Sequence, residues 1–248
     1  ATNLYRTLAK HNPAAYTPNL AKSLNNLAIH LDGNGQPHKA LQTAQEATNL
    51  YRTLAKHNPA AYTPNLAKSL NNLAIHLDGN GQPHKALQTA QEAVTIRRKL
   101  AKHNPAAYTP DLAMSLNNLA NRLADNGQHH EALQTAQEAT NLYRTLAKHN
   151  PAAYTPDLAM CLINLAIRLA DNGQHHEALQ TAQEATNLYR TLAKHNPAAY
   201  TPDLAMCLIN LAIRLADNGQ HHEALQTAQE ATNLYRTLAK HNPAAYTP

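Results

Sequence analysis

The chain has 248 residues, a net charge of +5, two cysteines, and neither tryptophan nor phenylalanine. No stretch approaches the roughly 18 apolar residues of a membrane span and no charged-then-apolar leader is present, so the expected setting is intracellular, cytoplasmic and without a membrane partner. Residues 1–92 carry eight Lys/Arg against four acids and residues 93–248 thirteen against twelve, a basic bias too diffuse to point to nucleic acid.

Residues 1–46 recur letter for letter as 47–92; a variant repeat, 93–138, follows, then 139–184 and its identical copy 185–230, and 231–248 opens a sixth. A fixed period of 46 residues specifies one stack of like supersecondary units over 1–248, with no single globular core. Repetition also argues against an enzyme, because an active site needs unique residues converging on one point. No nucleophile–base set, paired-carboxylate motif or phosphate-binding loop interrupts it, and all seven glycines fall at Asn-Gly or Asp-Gly-Asn-Gly turns. No cofactor is expected.

In the reference repeat, Leu112, Ala113, Leu116, Leu119, Ala120 and Leu123 carry the 3/4 spacing of an amphipathic helix, helix A, expected over Pro110–Asp125. Thr109 is placed to cap it, Pro110 to open it and Asp111 to meet its dipole, while Asn126-Gly127 supplies a left-handed stop. Helix B is expected from His129 to Lys148 with a stripe of Ala132, Leu133, Ala136, Ala139, Leu142, Tyr143 and Leu146. Asn150-Pro151 ends it, and a longer connector (His-Asn-Pro-Ala-Ala-Tyr-Thr-Pro) leads to the next repeat. A short turn makes the pair antiparallel, alanines let the helices approach closely, and each hairpin keeps an apolar face for its neighbour. The fold class is an all-α solenoid of antiparallel helix pairs.

Leu116-Asn117-Asn118-Leu119-Ala120, then Leu123, Gly127, Ala132-Leu133, Ala136 and Ala139, resembles the tetratricopeptide repeat, and the match recurs in all five repeats. The period exceeds the family's usual ~34 residues, and leucine replaces the usual aromatic of helix A. Both departures are similar to the longer repeats of kinesin light chains and to near-identical arrays in NLR-like (STAND) signalling proteins. The resemblance implies a right-handed superhelix whose concave helix-A surface binds peptides or proteins, as the recognition array of a larger signalling protein.

Positions that differ between repeats are informative because the stack does not require them. In helix A they include Lys22 against Met114, Asn25 against Ile163, Ile29 against Asn121, Asp32 against Ala124 and Gly33 against Asp125, one continuous stripe. By the resemblance, this stripe and an unvaried line of asparagines beside it form the ligand surface. The candidate residues are Lys22, Asn25, Asn26 and Ile29; Lys68, Asn71, Asn72 and Ile75; Met114, Asn117, Asn118 and Asn121; Met160, Ile163, Asn164 and Ile167; and Met206, Ile209, Asn210 and Ile213. Packing of the Ile and Met residues against adjacent repeats, and hydrogen bonding of the asparagines inside the stack, are the competing readings. A second group of changes, Val94, Thr95, Ile96, Arg97 and Lys99, leaves a basic patch with Arg98 and Lys102 that reads as a solvated face.

Cys161 and Cys207 are one repeat apart, two helices at ~8–10 Å per neighbour, beyond the ~7 Å reach of a disulfide, and are expected as free thiols. The histidine pairs at His129, His175 and His221 point about 100° apart on a helix and do not suit one metal. His11, His57, His103, His149, His195 and His241 precede Asn-Pro, where they can meet the last carbonyls of helix B. The partner expected is a protein or peptide, with end-to-end self-association of uncapped repeats as a further contact. Single-stranded RNA binding and a structural or engineered self-stacking spacer are the alternatives.

Overall fold

The computed structural model describes residues 2–241, which form α-helices joined by links of one to three residues. Its elements are α1 (Thr2–His11), α2 (Pro13–Gly33), α3 (Pro37–His57), α4 (Pro59–Gly79), α5 (Pro83–His103), α6 (Pro105–Asp125), α7 (His129–His149), α8 (Pro151–Asp171), α9 (His175–His195), α10 (Pro197–Asp217) and α11 (His221–His241). The even-numbered helices are the A helices, the odd-numbered ones the B helices. Two compact units are present, Ala1–Gln128 and His129–Pro248. Within each, consecutive helices pack as the antiparallel pairs of a solenoid with a 46-residue repeat. The start of the sixth repeat beyond His241 lies outside the described residues.

Helix A begins five residues before the expected Pro110. Asn104 is the N-cap, with its Oδ1 accepting from the Ala107 amide at 3.2 Å, and Pro105 fills the first position. The same cap recurs at Asn12, Asn58, Asn150 and Asn196. The expected eight-residue connector is therefore one residue, an asparagine near φ −142° and ψ 83° at Asn104, held out of the helical region by the proline that follows. Pro110 becomes an interior proline. It is tolerated because the carbonyl it leaves without a donor belongs to Ala106, one turn from the helix start and exposed to water.

The stop after helix A follows the expectation. Gly127 has φ +75°, its amide reaches Ala124 O at 2.9 Å, and the Gln128 amide reaches Leu123 O at 2.9 Å. That is the paired 6→1 and 5→2 closure of a Schellman turn.

Fully buried alanines let the helices touch. In the N-terminal unit, one cluster joins Ala21, Tyr51, Ala55, Leu66, Leu70 and Ala93, and another joins Ala28, Leu41, Ala44, Leu73, Leu77 and Ala86. In the C-terminal unit Ala166, Leu179, Ala182, Leu211, Leu215 and Ala224 repeat the second pattern. Polar ties between repeats run alongside. Arg52 pairs with Glu92, Arg144 with Glu184 and Arg190 with Glu230, each at 2.6 Å. The turn asparagines Asn80 and Asn126 donate to Pro37 O and Pro83 O, while Asn172 and Asn218 do the same to His129 O and His175 O. The ion pairs are exposed and contribute ~0–1 kcal/mol each, so the alanine–leucine seams carry the stacking.

Asn104→Ala removes one cap and is expected to cost about 1 kcal/mol in chemical denaturation. Gly127→Ala meets no atom within 4 Å, so any loss comes from the positive φ alone, also about 1 kcal/mol. An unchanged midpoint for both would show that the helix ends do not set the repeat boundary.

Candidate peptide-binding surface

Residues 7, 10 and 14 of each A helix lie on one face, and within each unit a buried residue of the intervening B helix (Tyr51, Arg97 or Tyr189) lies behind the seam between neighbouring A helices. In the N-terminal unit this arrangement encloses a cleft of about 270 Å³ between α2 and α4. Its walls are Asn19, Lys22 and Asn26 on one side and Asn65 and Lys68 on the other, with Tyr51 and Tyr62 beside them. Burial pushes the Tyr51 phenol above its usual value, so it remains neutral. A second hollow, lined by Tyr5, Asn19, Lys22, Ser23 and Asn26, continues the surface toward α1. Neither Lys22 nor Lys68 has an acidic partner among the described residues, which leaves two ammonium groups beside the amides of Asn19, Asn25, Asn26 and Asn65 in one space.

The proposed stripe divides when placed on the structure. Lys22, Asn26, Ile29, Lys68, Ile75, Met114, Met160, Met206, Ile209 and Ile213 are exposed; Asn72, Asn118, Asn121, Asn164, Ile167 and Asn210 are half-buried. Asn25, Asn71, Asn117 and Ile163 are buried. Burial turns Asn71, Asn117 and Ile163 away from a ligand, against the expectation for them, whereas Asn25 keeps an edge on the cleft. Asn25 Oδ1 accepts from Ser69 Oγ at 3.3 Å, and Asn71 Oδ1 accepts from Asn118 Nδ2 at 3.2 Å, so amides at this position join repeats. Asn25 also borders the cleft floor. The asparagine line is correspondingly mixed: Asn118 bonds within the stack, and Asn210 donates to Met206 O of its own helix at 3.1 Å.

The far end of the stripe belongs to charge pairing within the stack. Arg122 pairs with Asp78 of the preceding A helix and lies 3.6 Å from Asp125. From the third repeat on the aspartate stands one residue along, and in the C-terminal unit Arg168–Asp171 and Arg214–Asp217 pair within their own helices at 3.3 Å. His76, at the arginine position of the second repeat, is buried 3.7 Å from Asp32, and desolvation lowers its pKa. The changes at Asp32 and Gly33 thus follow the change from histidine to arginine.

Two signals were available in the sequence and not used. Asn19 and Asn65 give way to Asp111, Asp157 and Asp203, a change read only as a dipole partner of a helix start that lies elsewhere. The tyrosine opposite, Tyr51 or Tyr189, closes the seam and is almost fully buried. Arg97 takes that slot once. It is 1% exposed and paired with Asp111, so the solvated-face reading holds for Arg98, Lys99 and Lys102 and is corrected for Arg97. At the helix ends, the rings of His57, His149 and His195 meet the carbonyl four residues back at 2.7–2.8 Å, as expected; the His241 ring lies outside the described residues.

A stack of antiparallel helix pairs with a cleft between neighbouring A helices defines a helical-repeat scaffold. The tetratricopeptide repeat pattern matches residues 66–106, 112–151, 158–197 and 204–243, and the chain belongs to that family. No curated protein matches the chain in sequence. Among solved structures, BtubC (BKLC) from P. vanneervenii is similar at 21% identity and TM-score 0.74, over 96% of this chain and 87% of that one. A Podosopora anserina protein described as a kinesin light chain with nearly identical TPR-like repeats is similar at 20% identity and TM-score 0.65, over 89% and 96%. The Rap conjugation gene regulator of plasmid pLS20, solved in complex with a Phr peptide, is similar at 15% identity and TM-score 0.60, over 86% and 53%. Among the described residues no helix is long and apolar enough to cross a membrane, and no group of three or more His, Cys, Asp or Glu side chains could hold a metal.

Cys161 and Cys207 are free and buried at the position of Ser69 and Ser115, and Thr186 Oγ1 lies 3.3 Å from Cys207 Sγ. Burial pushes the Cys161 thiol up to about 12 and the Cys207 thiol to about 11 from 9.0. Because these folded-state values are raised, the stabilisation is complete below the unfolded thiol value and is lost as pH rises through the folded ones. The chain is therefore expected to lose more stability between pH 8 and pH 10.5 than its C161S/C207S variant does, measured by urea unfolding. An equal loss in both would show that the thiols are not the groups responsible.

Proposed function

We propose that the chain is a non-enzymatic protein- or peptide-binding scaffold that works through its helix-A face, and that the N-terminal unit receives an acidic peptide segment. The observation that carries this is the cleft holding Lys22 and Lys68, two cations with no acidic partner among the described residues. Ammonium groups supply charge without fixed geometry. Asn19, Asn26 and Asn65 add amides that both donate to and accept from a peptide backbone. The peptide-bound Rap structure supports a peptide as the ligand class. In this reading the scaffold is the recognition array of a larger signalling, NLR-like protein, with selectivity set repeat by repeat.

The test uses the chain's own alternatives. K22M/K68M installs the methionine that stands at Met114, Met160 and Met206, so the helix should fold unchanged. A labelled peptide of interleaved glutamate and leucine is expected to bind the parent chain and to lose about tenfold in affinity, ~1.4 kcal/mol, to the double variant. Equal affinity for both proteins, or tighter binding of an oligouridine with a steep salt dependence, overturns the reading.

A further inference from the structure

The helix-A site exists in two chemical versions, and the third repeat shows what the second version accepts. There Asp111 of α6 stands where α2 and α4 carry Asn19 and Asn65, and α5 supplies Arg97 in the slot that elsewhere holds a tyrosine. The buried Arg97 guanidinium pairs with the Asp111 carboxylate. The aspartate recurs in the C-terminal unit as Asp157 on α8 and Asp203 on α10, but the slots behind them hold Tyr143 and Tyr189. Neither carboxylate has an ion-pair partner among the described residues.

Both carboxylates act electrostatically on the buried Tyr189 phenol, whose pKa burial and these charges raise. Asp157 and Asp203 stand at the positions of Asn19 and Asn65, which line the two sides of one cleft, so the equivalent seam between α8 and α10 carries a carboxylate on each side. Partial burial raises the pKa of each aspartate, and no cation among the described residues is paired with either. One turn further along the same helices, Met160 and Met206 are 46% and 39% exposed. Their unbranched thioethers can adapt to varied apolar side chains.

We propose that the C-terminal unit binds a basic, apolar peptide segment, with an arginine or lysine side chain between Asp157 and Asp203 and its apolar neighbours on Met160 and Met206. The ligand's guanidinium does from outside what Arg97 does for Asp111 from inside, as a charge-assisted contact. Arginine fits best, because its guanidinium is more weakly hydrated than an ammonium and offers a planar fork of donors. The inference rests on the reading of the helix-A face as the binding surface, with the ligand's sign reversed from the N-terminal cleft.

Fluorescence anisotropy on the full chain tests it, with a labelled peptide of interleaved arginine and leucine at near-physiological salt. D157N/D203N restores the amides of positions 19 and 65 and is expected to weaken this peptide by about tenfold or more, with the glutamate–leucine peptide changed by less than about twofold. Y143R/Y189R installs the internal guanidinium of the third repeat and is expected to cause a like loss while every carboxylate is retained. If that variant fails to fold by circular dichroism, the asparagine pair carries the test alone. Undiminished affinity in D157N/D203N overturns the proposal, as does equal binding of an arginine–glycine peptide, which would mean that charge acts without the methionine face. K22M/K68M separates the two readings: losing only the acidic peptide leaves this proposal standing, and an acidic peptide that never binds removes the N-terminal reading without touching it.

Discussion

The structure depends on one residue per repeat being held out of the helix. An asparagine before proline cannot easily enter the helical region, so helix B must stop there. The same asparagine caps helix A through its side chain, and the proline opens it. One residue thus ends helix B and begins the next helix A; every described helix but α1 is 21 residues long, and within each unit consecutive helices pack together. Any longer link would let the A helices shift relative to one another. The asparagine and tyrosine positions of neighbouring repeats would then no longer meet across a seam.

Given that register, each seam offers few positions where chemistry can vary without loss of packing. Small residues fix the distance between helices, and Leu24, Leu70, Leu116, Leu162 and Leu208 fill the same place in every repeat with no exposure. What remains free is a group of side chains at the mouth of the seam. Lysine with asparagine, arginine with aspartate, and tyrosine with aspartate are three solutions on one backbone. The second is closed on itself. The first leaves cations without partners and the third leaves carboxylates without them. Specificity on such a surface comes from unsatisfied charge, since the apolar seam is nearly the same throughout.

The helical repeat, the antiparallel pair, the glycine stop and the helix-ending histidines were legible in the sequence, because periodicity and local turn chemistry are properties of neighbouring residues. The start of helix A was not. The Asn-Pro pair was read only as the end of helix B, and Thr109-Pro110 was taken as the start of helix A. The asparagine prevailed because its cap bond and the forced break before proline act at the same residue, while the carbonyl left over at Ala106 faces water. The site was half legible for a related reason. Variation singled out one face of helix A, but it could not separate Asn25, which is buried and bonds across the seam, from Asn26, which is exposed. Adjacent residues on a helix differ by about 100°, and only the neighbouring helix decides which is covered.

The letter-for-letter copies have a consequence at the level of the gene. The joining residues and the repeat length recur along the chain, so an in-register recombination that gains or loses 46 residues sets one repeat beside another of the same pattern. Duplicating the first block would add another lysine-lined mouth, and duplicating the last would add another aspartate-lined one. Copy number then becomes a dial for valency: a ligand with several acidic or several basic stretches would gain avidity from each added repeat without any new contact being invented.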